Sequence, residues 1–133
     1  MRLISVAMGG VCLVLLGGCG GPGRAEVEGT VAYGGRPIPA GAIAFVTAED
    51  QGRSGGGTIL DGRYQVPPGV GLRPGKYKVE IRWARPTGTQ VRSETGATLQ
   101  MTREGLPAKY NDASELTAEL RQGQNTLDFE LPN

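Results

Sequence analysis

Apolar and polar residues alternate in short stretches along most of this chain, and a two-residue period predicts strands rather than helices. In 26–33, Val27, Gly29, Val31 and Tyr33 share one face, and Glu26, Glu28 and Thr30 the other. A second strand over 42–48 points Ile43 and Phe45 inward. The pattern is strongest over 76–83, where Tyr77, Val79, Ile81 and Trp83 alternate with Lys76, Lys78, Glu80 and Arg82. Between them, 58–66 reads as a hairpin, because Asp61-Gly62 suits a type I′ turn with φ > 0 at both positions. That register sets Leu60 opposite Arg63 and Ile59 opposite Tyr64, and gives Ile59, Tyr64 and Val66 one inner face. Glycine and proline clusters at 34–39, 67–68 and 72–75 separate these strands. Residues 49–57 and 85–96 read as polar loops, and 97–102 as a strand with Leu99 and Met101 inward.

The C-terminal stretch fits two patterns. Ala113, Leu116 and Leu120 have helical spacing, with Gly123 as a residue that ends a helix. Leu116, Ala118 and Leu120 also alternate, as do Leu127, Phe129 and Leu131. A hairpin turning at Gly123-Gln124 pairs these two rows into three apolar pairs, a match no helix offers, so the hairpin is the expectation. It places Glu119 against Asp128, a like-charge pair that needs a cation such as Lys78 or Arg82 from a neighbouring strand. Ahead of it, Leu106-Pro107-Ala108-Lys109-Tyr110-Asn111-Asp112 reads in two ways. Lys109, Tyr110, Asn111 and Asp112 form a polar recognition loop, or Leu106 and Tyr110 dock a connector onto the domain while Asn111-Asp112 turn the chain. Two apolar anchors in seven residues favour docking.

The N-terminus has a different pattern. Met1-Arg2 is followed by an apolar run over 3–16 and then Gly17-Gly18-Cys19. This is the form of a secretory signal, and the run is shorter than the ~20 apolar residues of an ordinary membrane span. Leu16-Gly17-Gly18-Cys19 resembles the bacterial lipobox. The resemblance implies cleavage between Gly18 and Cys19, a signal peptide of 1–18, and lipid on Cys19 as the partner of a membrane. A glycine after the cysteine implies the outer membrane, facing the periplasm or the cell surface. Residues 19–25 then form a lipidated, glycine-rich tether, and 26–133 one domain.

Composition narrows the chemistry. Lysine plus arginine number 14 and aspartate plus glutamate 13, with no basic run, so nucleic acid is not expected as a partner. There is no histidine, and the two cysteines lie within the signal and at the lipidation position. That removes histidine-based acid–base and metal chemistry and any cysteine nucleophile. Gly55-Gly56-Gly57 lacks the spacing and the Lys-Ser/Thr pair of a phosphate loop. Carboxylate pairs such as Glu119 with Asp128 read as surface charge, and Arg82, Arg85 and Arg92 as solvated cations. Trp83 suits stacking on a sugar ring, but its place at the end of an alternating strand favours packing. No metal site and no cofactor are expected.

Three stretches together resemble a known family. Val27-Glu28-Gly29-Thr30-Val31 leads through Gly35-Arg36-Pro37-Ile38-Pro39-Ala40-Gly41 to Ile43-Ala44-Phe45. Asp61-Gly62-Arg63-Tyr64 and Leu72-Arg73-Pro74-Gly75-Lys76-Tyr77-Lys78-Val79 follow. This resembles the carboxypeptidase regulatory-like domains, and the resemblance implies an all-β fold, a transthyretin-like antiparallel β-sandwich of about seven strands. The stretch from Leu106 to Asp112 with Leu116-Thr117-Ala118-Glu119-Leu120 is similar to the ending of small planctomycete-type lipoproteins that carry such a domain. Domains of this family are accessory, and the resemblance implies no ligand site. The expected function is therefore a non-catalytic, lipid-anchored domain of the cell envelope, structural or in weak contact with an envelope protein or glycan. The alternative is a lipoprotein that binds a glycan or peptide ligand, with Trp83 as the discriminating residue.

Overall fold

A computed structural model describes residues 23–47 and 54–133. Gly18 and Cys19 lie outside the described residues, as does most of the loop expected over 49–57. Ten strands carry the fold: β1 (Ala25–Tyr33), β2 (Arg36–Pro37), β3 (Ala40–Thr47), β4 (Gly55–Leu60), β5 (Arg63–Val66), β6 (Gly75–Arg92), β7 (Thr98–Glu104), β8 (Thr117–Leu120), β9 (Gly123–Thr126) and β10 (Phe129–Leu131). Two single 3-10 turns, Pro68–Val70 and Ala108–Tyr110, are the helical elements among the described residues. None of these is long and apolar enough to cross a membrane.

The strands form one curled sheet in the order β10-β1-β5-β4-β3-β6-β7. The alternation read from β1, β3, β5 and the first half of β6 is the alternation that is buried. Val27, Val31, Ile43, Phe45, Ile59, Val66, Val79 and Ile81 are all withdrawn from solvent. The β4–β5 hairpin pairs Ile59 with Tyr64 and Leu60 with Arg63, and Asp61 and Gly62 have φ of 50° and 76°. Gly29 has a separate reason to lack a side chain: a Cβ there would lie 1.8 Å from the carbonyl oxygen of Leu127.

Three expectations are corrected. The tail forms strands, but not a hairpin with itself. β8 pairs antiparallel with the start of β6, and β9 and β10 pair parallel with β1. Residues 121–122 therefore carry the chain from one edge of the curled sheet to the other. Alternation specifies which face of a strand is buried and leaves its neighbour open. Glu119 accordingly stands opposite Lys76, while Asp128 accepts hydrogen bonds from the backbone N–H and hydroxyl of Thr30. No clash between the two acids arises, and neither Lys78 nor Arg82 is needed to relieve one.

The polar loop expected over 85–96 is mostly strand. β6 continues to Arg92 and pairs with β7 through a register shift between Pro86 and Gln90. Only 93–97 turn the chain, closed by Ser93 N–H to Ala97 O at 2.8 Å. The resulting ribbon has no buried face, so its strands carry no hydrophobic alternation to be read. For the same reason Leu99 and Met101 do not point into a core: they are 50% and 44% exposed. The third correction is at β4, which begins at Gly55 inside the loop expected over 49–57, because Gly55, Gly56 and Gly57 pair with Phe45, Ala44 and Ile43.

The Asp61-Gly62 turn yields a direct test. Gly62 is buried, its N–H donates to Ile38 O, and a Cβ would sit 2.6 Å from that of Pro37. Gly62→Val combines that overlap with an unfavourable φ and is expected to cost more than about 2 kcal/mol. Urea melts of the two proteins check this, and equal midpoints rule it out.

Candidate functional site

The far end of the core part of β6 gathers most of the residues of interest. Trp83 closes the inward row Tyr77-Val79-Ile81 and is half-buried. Tyr33, at the matching end of β1, tilts against it with ring centroids 6.3 Å apart. Tyr110 meets Tyr33 edge-on at 6.3 Å, so Tyr33 links Trp83 to the 106–112 segment. Two groups lie against the Trp83 indole. The backbone of Gly105 lies against it, and the Arg85 guanidinium sits over the ring at 5.4 Å. Trp83 is thus a packed hinge between the domain and the ribbon, with its edge in a cleft of about 410 Å³. Tyr33, Arg36, Pro37, Ile38 and Arg85 line that cleft with it.

The 106–112 segment has a mainly structural placement. Leu106 and Tyr110 are buried, and the Tyr110 hydroxyl donates to Pro132 O. Asn111 is only 2% exposed; its side-chain amide donates to Ile81 O and Pro107 O, and its Oδ1 accepts from Asp112 N–H. This stretch lies along β6 between the part paired with β8 and the part paired with β7. Val79 N–H donates to Leu116 O, Val79 O accepts from the Ser114 hydroxyl, and Trp83 N–H donates to Glu104 Oε1. Side chains of Glu104, Asn111 and Ser114 therefore take the place of a neighbouring strand. Buried backbone groups must be paired, and here side chains pair them. Lys109 and Asp112 remain on the surface. Lys109 Nζ lies 5.0 Å from the centre of the Tyr110 ring, and Asp112 accepts from Arg82 at 2.7 Å. That hydrogen bond raises the Arg82 pKa above its usual value, and Glu104 stands 4.0 Å from the same guanidinium.

A second concavity is an open trough of about 830 Å³ beside β1, β4 and β5, bordered by Glu28, Thr30, Arg63, Tyr64 and Asp128. Its acids are already engaged: Asp128 with Thr30, and Glu28 as acceptor from the Gln124 amide. The Tyr64 hydroxyl donates to Leu127 O at 2.7 Å. Burial, and secondly the charge of Asp128, raise its pKa above the ordinary tyrosine value. In the smaller cleft, by contrast, Arg36 and Arg85 have no ion-pair partner among the described residues. Among the described residues no three acidic, histidine or cysteine side chains converge on a common point. The smaller cleft is therefore the candidate site, with two arginines free to meet an anionic or polar group.

Of the residues singled out from sequence, the structure brings Trp83 and Tyr110 to one pole, with Arg85 beside them. Tyr33 and Arg36 escaped notice as site residues. Tyr33 carried a signal, since the last inward residue before the Gly34-Gly35 turn must sit at the rim of the core. Arg36 carried none, because its approach to Trp83 depends on β2 folding back onto β1. Comparison with family models, curated proteins and solved structures finds no match for this chain.

Two outcomes test this account. Tyr110→Ala removes a buried ring and the bond to Pro132 O, and is expected to lower stability by about 3 kcal/mol or more. Lys109→Ala should cost no more than about 0.5–1 kcal/mol, because its ammonium is in water. Denaturant melts of both variants separate the structural role from a display role. The second outcome concerns pH. Above pH ~10 the unfolded chain loses the Tyr64 proton while the folded chain keeps it, so Tyr64 makes stability fall with rising pH. The slope is at most about 1.4 kcal/mol per pH unit. Tyr64→Phe should flatten that decline between pH 9 and 11, and an unchanged slope in the variant's urea midpoints overturns the assignment.

Proposed function

We propose that this chain is a non-catalytic lipoprotein of the cell envelope, anchored through Cys19, whose transthyretin-like β-sandwich presents the Trp83 pole to an envelope partner. One observation carries the reading. β6 starts at the pole where the chain enters the domain and ends in the exposed ribbon beyond Trp83, at the opposite pole. An anchor at the first pole leaves the second facing away from the membrane. The absence of histidine from the sequence supports a non-catalytic role. The cleft supports contact with a ligand through charge: Arg36 and Arg85 offer planar, bidentate donors to a carboxylate. An acidic envelope glycan or a protein presenting acidic side chains fits that chemistry. Arg85 over the indole and Gly105 against it compete with simple stacking of a sugar there.

The test has two arms. Cys19→Ser is expected to leave the signal uncleaved and the chain unlabelled by fatty acid, and continued acyl labelling removes the anchor. In the second arm, purified acidic and neutral envelope polymers are titrated against the lipidated protein and against Arg36→Glu with Arg85→Glu. Reversing both charges should weaken binding of the acidic polymer at least ~10-fold, since each charged hydrogen bond is worth about 1.5–3 kcal/mol. Equal binding by the double variant removes the cleft from the reading.

A further inference from the structure

We infer that the pole at which the chain enters the domain is a docking face for anionic phospholipid headgroups; the inference rests on the anchor proposed at Cys19. Four basic side chains gather at that pole. Arg24 immediately precedes β1, Arg73 follows Leu72, Lys76 is the second residue of β6, and Arg121 follows β8. The backbone holds them together: Ala25 N–H donates to Leu72 O at 2.8 Å, Gly123 N–H to Arg24 O at 3.0 Å, and Gly75 is in register with Leu120. All four side chains are exposed, and none of them forms an ion pair among the described residues. The acids near these strand ends are Glu26, Glu119 opposite Lys76, and Glu28, which accepts from Gln124; among the described residues the four cations outnumber them. Glu49, Asp50 and Arg53 lie outside the described residues.

Two physical arguments select the occupant. The first is reach. Cys19 precedes Gly23 by four residues, a span of at most about 14 Å even fully extended. An anchored chain therefore keeps this pole within one or two Debye lengths of the headgroups, about 8 Å each at physiological salt. The second is charge: a lysine or arginine close to an anionic leaflet is worth about fivefold in partitioning. The distal cations Arg85, Arg92 and Arg103 are also exposed, but they lie beyond Trp83. The stretch of β6 from Gly75 to Trp83 separates the two poles by about 26 Å. Geometry of the tether, rather than total charge, decides which pole meets the lipid.

Trp83 is the sole tryptophan of the sequence and sits at the distal pole, so it reports orientation without added label. The full lipidated chain is placed in phosphatidylcholine vesicles, with or without phosphatidylglycerol. Energy transfer from Trp83 to a dansyl acceptor on the headgroups is measured. Docking holds Trp83 away from the surface, so transfer should be weaker on the anionic vesicles than on the neutral ones. Salt at about 1 M, with a Debye length near 3 Å, should abolish the difference. So should the combined variant Arg24→Gln, Arg73→Gln, Lys76→Gln, Arg121→Gln, and each single change should reduce the docked-to-free ratio about fivefold. Because all four side chains are exposed, the variant is expected to keep the wild-type melt. Equal transfer on the two compositions, with the protein retained on both, overturns the docking face alone. Stronger transfer on anionic vesicles means the distal arginines meet the lipid, and also overturns it. Loss of the protein from both vesicle types overturns the anchor and the docking face together.

Discussion

An open sheet ends in two rows of unpaired backbone N–H and C=O groups, and satisfying both rows is the constraint on which this structure depends. Residues 117–131 meet it on both sides. β8 covers the start of β6, residues 121–122 cross over, and β9 and β10 run parallel along β1. Asn125 secures the crossing: its amide donates to Glu26 O, Arg121 O and Gly123 O, and its Oδ1 accepts from Arg121 N–H. One side chain thus ties the two edges of the sheet to each other. Pairing both edges within one short segment stabilises the fold through the backbone itself.

The middle of β6 completes the closure by other means. On the edge away from β3, between β8 and β7, no strand lies against it, and Ser114, Asn111 and Glu104 supply the bonds. This explains why a polar residue, Asn111, is buried in an otherwise apolar interior. It also explains why the 106–112 segment looks distinctive as a sequence. Its Asn111 is placed for geometry along a strand edge, and it resembles part of a recognition loop because both tasks need directed hydrogen bonds.

Closure leaves the molecule with two unlike ends. At one, the chain enters beside Leu72, Leu120 and Gly123 under a group of exposed cations. At the other, the aromatic trio Tyr33, Trp83 and Tyr110 seals the core and carries the ribbon. The ribbon exists because β6 outlasts its partner β3: their pairing ends at Trp83 with Gly41, and only β7 accompanies β6 further. A two-stranded ribbon without a buried face is marginal alone, and the contacts of Gly105 and Arg85 with Trp83 tie its base to the core.

The sequence by itself determined the all-β character, the inward faces of β1, β3, β5 and the first half of β6, and the Asp61-Gly62 turn with its register. Each follows from local terms: a two-residue period where one face is buried, and φ > 0 where only a few residues accept it. It also marked Trp83 at the end of an alternating strand and Tyr110 as an apolar anchor of the 106–112 connector. Tertiary structure alone decided the partners. The rows Leu116-Ala118-Leu120 and Leu127-Phe129-Leu131 are equally apolar against each other or against the core, and the need to cover two edges at once separates them. It decided too that 84–92 is strand, since polar residues in water on both faces leave no period to read. The cleft follows the same logic. Tyr33, Arg36, Trp83 and Arg85 come from three strands, and their meeting depends on β2 folding onto β1 and on the curl that brings β1 toward β6. Distances between residues so far apart in the chain are set by the curled sheet, and no local pattern encodes them.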